Sequence, residues 1–197
     1  MTTAKSSKKS AAPLKDRAVR AALDLAAEKG WDKTGFQDIA RRCKCTLADL
    51  NEIFEDRGDI LVAYERQIDR RVLAQIGKPD LTTSERDRLF DVLMERFDVL
   101  GEDRAAAVSI LKSFRTDPKQ AVIGIPHLGK SMLWMLEAAG VDANGAKGAL
   151  TAFGLIGVYL YTLKAWMDDD SEDQSKTMAA LDKALGRAEK LAGLLPL

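Results

Sequence analysis

Apolar residues recur at intervals of three and four along most of this chain, which is the spacing of amphipathic α-helices. After a polar start, the pattern predicts about nine helices and almost nothing strand-like. Gly30 is expected to stop the first helix and Gly140 the seventh, while Pro118 and Pro126 should break or kink the chain between the sixth and seventh. The predicted bounds are about 16–29, 36–43, 46–54, 56–76, 84–100, 104–114, 127–139, 145–167 and 175–195. An all-α fold follows from this pattern.

The second and third predicted helices are short and lie close together in the chain. Thr46 is a good N-cap for the third, which carries Leu47, Leu50 and Phe54 on its inner face. Two such helices within a three-helix head form a helix-turn-helix, the arrangement that presents one helix to the major groove of DNA. The sequence therefore divides into a basic, disordered tail (1–13), a helix-turn-helix head (14–62) and a larger helical body (63–197).

Charge gives this head little general attraction for nucleic acid. The whole chain has 30 basic and 30 acidic residues. Residues 16–66 carry nine basic and eleven acidic side chains, and between Thr46 and Asp59 Arg57 is the only basic residue among five acidic ones. Phosphate neutralisation supplies much of the affinity for DNA, so binding must rest on local groups such as Arg41, Arg42 and the lysines of the tail.

The head resembles the N-terminal domain of the TetR family of bacterial transcriptional regulators. The residues that carry this resemblance are Ala22 to Trp31, Asp38-Ile39-Ala40, Thr46, Leu50, Phe54 and Asp59-Ile60-Leu61. The resemblance implies a TetR-like fold, with a ligand-responsive homodimer that binds operator DNA, as a repressor or an activator.

The family pattern also implies which side chains meet DNA, with several substitutions in this chain. Where the family usually has glycine in the turn, Lys44 stands here, and Asn51 replaces the usual phosphate-binding tyrosine. Thr34 precedes Gly35, which stands where the second helix usually opens with serine or threonine, and Arg57 replaces a lysine. The resulting DNA-contact candidates are Thr34, Lys44, Thr46, Asn51 and Arg57 for phosphates, with Leu47, Ala48 and Asp49 for bases.

The C-terminal half is similar to a second family of the same fold, the lipid-binding accessory proteins of coenzyme Q biosynthesis. The parallels are Trp134, Gly140-Val141-Asp142, Gly157 to Thr162, Asp169-Asp170-Ser171 and Thr177. This similarity implies an alternative function, a lipid or isoprenoid carrier that has lost DNA binding. Either family would hold a hydrophobic small molecule in the body, with a pocket lined by Phe97, Phe114, Ile123, Met132, Trp134, Met135, Phe153 and Tyr159.

The last two helices are the expected dimer surface. Small residues, which allow a partner helix to approach closely, recur along the eighth helix at Ala149, Ala152, Gly154, Gly157 and Ala165. Packing of the same stripe within one chain is the alternative. In the TetR family the equivalent helices of two subunits form a four-helix contact.

The remaining signals argue against an enzyme, a metal site or a membrane span. Cys43 and Cys45 lack nearby partners for zinc, and His127 is the only histidine. No phosphate loop or nucleophile motif is present, and no cofactor is expected. The longest apolar run, about 149–163, is shorter than the roughly 20 residues of a membrane helix. We expect a cytoplasmic protein, because the chain has two cysteines and no signal peptide.

Overall fold

The computed structural model describes residues 7–115 and 118–194, with the side chains of residues 13–115 and 124–191. This part of the chain forms nine α-helices and one 3-10 turn, Trp31–Lys33, and has no β-strand. The α-helices are α1 Ser7–Lys29, α2 Phe36–Cys43, α3 Leu47–Asn51, α4 Arg57–Gln75, α5 Glu85–Gly101, α6 Arg104–Ser113, α7 Pro118–Ala138, α8 Gly145–Met167 and α9 Ser175–Leu194. The predicted all-α fold is confirmed.

Helices α1 and α7 begin well before their predicted first residues, and α3 ends at Asn51 rather than at Phe54. Helix α1 begins at Ser7 and passes through Pro13, so it enters the segment expected to be disordered; residues 1–6 of that tail lie outside the described part. Helix α7 begins at Pro118 and continues through Pro126, so of the predicted break or kink at Pro126 the break was wrong. Pro118 suits a first helical position because no intrahelical partner is needed for its missing N–H. A proline within a helix removes one hydrogen bond and crowds the carbonyl group of residue i−4, which destabilises the helix without always ending it.

The described residues divide into two compact units. The first contains Met1–Glu65 and Asp103–Gly124, and the second contains Arg66–Glu102 and Ile125–Leu197. Helix α6 therefore joins the head, whereas the sequence pattern assigned it to the body. The reason lies in its contacts with α1 and the 3-10 turn. Ser109 Oγ accepts a hydrogen bond of 2.9 Å from the Trp31 N–H, and Arg20 forms an ion pair of 2.6 Å with Asp103.

The core of the first unit is built on the apolar face of α1. Val19, Leu23 and Ala26 are buried there, and the chain then turns through Gly30, whose φ of 95° suits glycine. Trp31 follows directly and is buried. This turn closes the head by placing an indole ring against its core.

The core of the second unit combines aromatic stacking with a buried ion pair. The rings of Phe97 and Tyr159 stack with their centroids 5.3 Å apart. Arg96, only 2% exposed, forms an ion pair with Asp69 and lies over the Tyr159 ring at 5.2 Å. Asp69 also accepts a hydrogen bond of 2.6 Å from Ser131. A charge is tolerated at such a site because it is paired and hydrogen-bonded.

Helices α8 and α9 are joined by a turn that depends on Asp169. Its buried carboxylate accepts hydrogen bonds from the backbone and hydroxyl of Ser171 and of Thr177. Thr177 lies in the first turn of α9, so Asp169 caps that helix from across the loop.

Among the described residues α8 alone is long and apolar enough to cross a membrane, and 39% of its apolar window is buried. One such helix is weak evidence of a span, because a core helix passes the same test.

Candidate functional site

The tip of the head is formed by the turn between α2 and α3 and by α3 itself. Lys44 ends α2 in the left-handed conformation, with φ 55° and ψ 53°. Glycine adopts this conformation without steric cost, whereas a residue with a Cβ atom is strained by it. Lys44 adopts this conformation in spite of its steric cost, and the lysine side chain is exposed. The turn therefore presents an ammonium group to solvent next to the N-terminus of α3.

Helix α3 begins with a reciprocal cap between Thr46 and Asp49. The Asp49 N–H donates to Thr46 Oγ1 at 3.1 Å, while Asp49 Oδ2 accepts from the Thr46 N–H and hydroxyl, each at 2.8 Å. The backbone hydrogen bond from Thr46, followed by the one from its hydroxyl, lowers the pKa of Asp49 below the usual range. The carboxylate proposed to face bases is thus engaged in holding its own helix.

Two further acidic side chains near the tip have the same kind of role at the start of α4. Asp56 Oδ1 accepts from the Gly58 N–H at 2.6 Å, and Asp59 Oδ2 accepts from the Glu55 N–H at 2.7 Å. A carboxylate at a helix N-terminus is stabilised by the unpaired N–H groups there. Three of the five acidic side chains between Thr46 and Asp59 therefore take part in capping α3 and α4.

Ion pairs engage the other charges around α2. Arg42 binds Glu28 through two hydrogen bonds of 2.9 and 2.6 Å, and Lys29 lies 2.7 Å from Asp38. Hydrogen bonds from Arg42 and from Lys29 lower the pKa of Glu28 and of Asp38, respectively. Arg41, by contrast, projects into solvent with 79% of its side chain exposed and only a 3.7 Å approach to Asp38. Of the two arginines, Arg41 is the better placed to meet an anion.

Two of the predicted phosphate contacts are engaged inside the head. Arg57 donates to the carbonyl oxygens of Trp31 and Thr34, at 3.1 and 2.8 Å, and its guanidinium group lies over the Trp31 ring. Thr34 is buried, and its hydroxyl donates to Gly30 O at 2.9 Å. Both side chains therefore secure the turn that leads into α2.

The other predicted DNA contacts lie together on the exposed tip. Lys44, Thr46, Ala48 and Asn51 are exposed, and so is Leu47, at 47%. Leu47 was expected to point inwards; only Leu50 and Phe54 of that predicted face are buried. The exposed Leu47 and Ala48 give this short helix an apolar surface suited to base edges, and Asn51 is an exposed polar group beside it.

Arg17 of α1 also lies in this region, which the sequence pattern did not indicate. Arg17 is exposed, and its positive charge acts on Cys45 in the turn. Only the packing of α1 against the helix-turn-helix reveals this proximity, because 28 positions separate the two residues in the chain.

The residues predicted to line a pocket fall into three groups. Phe97, Met132, Met135 and Tyr159 are buried together in the core of the second unit, whereas Trp134 and Phe153 are 57% and 71% exposed. Phe114 belongs to the first unit, and the side chain of Ile123 lies outside the described part. The structure thus gathers four of the eight residues, and the two exposed aromatic rings point away from that core.

A groove of about 560 Å³ lies in the second unit between α5, α8 and α9. Its lining includes Leu89, Leu150, Phe153, Tyr161, Leu185 and Leu191. Gly154 and Gly157 form part of its floor, and a Cβ built on either glycine meets nothing within 4 Å. Within one chain these glycines are therefore not required by packing, and the apolar surface around them is open.

Comparisons with known proteins agree with this architecture. No family model and no curated protein matches the chain. Among solved structures, a TetR transcriptional regulator from Nitrosomonas europaea is 23% identical, with a TM-score of 0.71 over 90% of this chain and 99% of that one. A TetR regulator from Rhodococcus sp. RHA1 is 18% identical, with a TM-score of 0.68 over 92% of this chain and 97% of that one.

The chain has the TetR fold. Both structures match it over nearly their whole length, so the likeness covers the head and the body together. At these identities the likeness shows the fold alone. Within the TetR fold, the exposed tip of Lys44, Thr46 and α3 lies in the helix-turn-helix.

Proposed function

We propose that this protein is a cytoplasmic TetR-type transcriptional regulator that binds operator DNA as a homodimer. The observation that carries the proposal is the exposed tip of the helix-turn-helix, where Lys44, Thr46 and Asn51 surround a short α3. Asp49, Asp56 and Asp59 accept backbone hydrogen bonds around the starts of α3 and α4, so their carboxylates are held against the backbone of the head.

The residues proposed to contact DNA divide by exposure. Lys44, Thr46 and Asn51 contact phosphates, and Leu47 and Ala48 contact base edges. Thr34 and Arg57 shape the entry into α2 from inside the head, consistent with their internal hydrogen bonds. Arg41 and Arg17 are exposed cations that add to the phosphate contacts.

The proposed dimer forms through α8 and α9. The groove beside Phe153 exposes apolar surface that a second copy would cover, and Gly154 and Gly157 leave room for its helices. Two heads held in this way would meet half-sites about one DNA turn or more apart, so the operator is expected to be pseudo-palindromic.

The proposed effector is a hydrophobic small molecule bound in the second unit. Phe97 and Tyr159 stack in its core beside the buried Arg96–Asp69 pair, so a ligand bound there would have to displace side chains that already pack against one another. Binding would favour one arrangement of the dimer and so change operator affinity by a population shift. The alternative function is that of a lipid or isoprenoid carrier in quinone biosynthesis, which would retain lipid and would not bind DNA.

The decisive experiment is a binding titration of the purified protein against the DNA that flanks its own gene, with random DNA for comparison. We expect tighter binding to the flanking DNA. Lys44→Glu should reduce affinity by about tenfold, because it replaces a phosphate contact by a repulsive charge. Lys78→Glu in the second unit makes the same change in net charge at another exposed position and should have little effect.

The regulator proposal fails if affinity for the flanking DNA equals that for random DNA and Lys44→Glu changes neither. Native mass spectrometry of the same sample then tests the alternative function. Co-purified lipid bound by the protein would support a carrier, and an empty protein would count against it.

A further inference from the structure

The two cysteines of this chain face each other across the helix-turn-helix turn. Cys43 is the last residue of α2 and Cys45 follows the left-handed Lys44. Because the chain reverses at Lys44, the flanking side chains lie on the same side, and their Sγ atoms are 3.1 Å apart. In an extended chain, the side chains of two residues separated by one position would be farther apart.

Core packing accounts for only one of these thiols. Cys43 is buried and its thiol donates weakly to Ala40 O at 3.8 Å, whereas Cys45 remains partly exposed to solvent. A metal site is also a poor explanation, because the described residues contain no group of three or more His, Cys, Asp or Glu side chains that could hold an ion. What the geometry offers is a pair of adjacent thiols, one of them within reach of a small solute.

We propose that Cys43 and Cys45 form an oxidisable dithiol, which a hydroperoxide converts to an intrachain disulfide within the helix-turn-helix turn. The site is a modification site that does not depend on any DNA being bound. Cys45 meets the oxidant because it is the more exposed of the two, and Cys43 completes the bond.

The reaction has two steps, and the hydroperoxide is the only other reactant that it needs. Cys45 Sγ attacks the O–O bond, which breaks; the sulfur becomes a sulfenic acid, and the departing oxygen takes the thiol proton and leaves as water or an alcohol. Cys43 Sγ then attacks the sulfenic sulfur, the S–S bond forms, and the hydroxyl group leaves with the second thiol proton as water. Two thiols are oxidised and one peroxide is reduced.

The surroundings of Cys45 set the pH at which this reaction is fast. Burial raises its pKa to about 12, with further contributions from Cys43 and from the Asp49 carboxylate, while the positive charge of Arg17 acts in the opposite direction. The attacking species is a thiolate. Oxidation should therefore be slow near neutral pH and accelerate as the pH rises.

Disulfide formation should change the shape of the tip. An S–S bond of about 2 Å requires the two sulfur atoms to approach by roughly 1 Å. The backbone between them is held by the Cys45 N–H, which donates to Ala40 O at 3.0 Å, and it continues into the Thr46 cap of α3. A change of affinity for DNA on oxidation follows only if the proposed function is correct.

The test uses the full chain with hydrogen peroxide at about pH 7 and about pH 9, followed by intact mass spectrometry under non-reducing conditions. Because the chain has two cysteines, an intrachain disulfide has a single connectivity. We expect a mass loss of about 2 Da that forms faster at the higher pH and is reversed by dithiothreitol. Cys43→Ser and Cys45→Ser, checked for folding by circular dichroism, should each abolish this loss.

Three outcomes would overturn the dithiol proposal: oxygen added to sulfur without a 2 Da loss, a disulfide-linked dimer in place of the intrachain bond, or no reaction at either pH. Operator titration of the reduced and oxidised protein then tests the consequence separately. An affinity about tenfold lower after oxidation supports a switch. If the disulfide forms and neither state prefers operator DNA, the proposed function fails while the dithiol stands.

Discussion

Arg57 and Lys44 illustrate how two cations in the same head acquire different roles. Arg57 donates to two backbone carbonyl oxygens and lies over Trp31, so its charge secures the interior of the head. Lys44 lies at a left-handed position where its side chain is exposed. The amino-acid type alone predicts a phosphate contact for either residue, and only the surrounding backbone distinguishes them.

Asp169 shows the same principle for an acidic residue. Burial raises the pKa of its carboxyl, but hydrogen bonds from Ser171 and Thr177 outweigh burial and hold the pKa well below the usual range. Because the folded-state pKa is lowered, the carboxylate stabilises the fold above the ordinary aspartate pKa of about 4. That stability is lost as the pH falls towards the folded-state pKa.

Replacing Asp169 by asparagine should therefore destabilise the protein by about 2 kcal/mol near neutral pH, because an amide cannot accept all of these hydrogen bonds. Urea unfolding at about pH 7 and about pH 3 measures the effect, and the difference from the wild type should shrink at the lower pH. Asp170→Asn is the matched control, since Asp170 is the exposed neighbour. Equal losses in the two variants would contradict the role of Asp169.

At the scale of the element, short helices depend on their ends. Helix α3 has only five residues, so the cap between Thr46 and Asp49 is a large part of what defines it. Isolated helices of this length are unstable in water. Longer helices are more tolerant: α7 continues through Pro126. A local breaking signal such as Pro126 therefore did not predict the course of this long helix.

Thr46→Ala should cost about 1 kcal/mol of stability because the Asp49 N–H loses its acceptor. Thr46→Ser keeps the hydroxyl oxygen and should stay close to the wild type. Thermal unfolding of both variants measures the difference. If the alanine variant is as stable as the serine variant, the cap does not hold α3.

At the scale of the whole molecule, α6 joins the first unit although it follows α5 of the second in the chain. Ser109 and Asp103 bind it to the head through Trp31 and Arg20.

In the second unit, α8 has both buried and exposed apolar side chains. Leu155 and Trp166 are buried, while Phe153 remains 71% exposed in a groove. An exposed apolar face of this kind marks a surface for association.

If α8 and α9 form the dimer, Phe153→Asp should shift the protein from dimer to monomer, because a buried charge without a partner costs several kcal/mol at an interface. Analytical ultracentrifugation across a range of concentrations measures the change. Trp134→Asp is the matched control, since it replaces a similarly exposed aromatic residue on α7, outside the groove. A Phe153→Asp variant that dimerises as tightly as the wild type would contradict this interface.

The sequence by itself determined the helical fold, most helix bounds and the position of the helix-turn-helix. These features depend on interactions between residues close together in the chain. Examples are the apolar spacing of the helices, caps such as Thr46 and stops such as Gly30. Tertiary structure alone decided which unit α6 joins, that Thr34 and Arg57 serve the interior, and that Phe97 and Tyr159 separate from Phe153. Those outcomes depend on packing between segments that are far apart in the chain. The spacing of apolar residues along the sequence does not specify that packing.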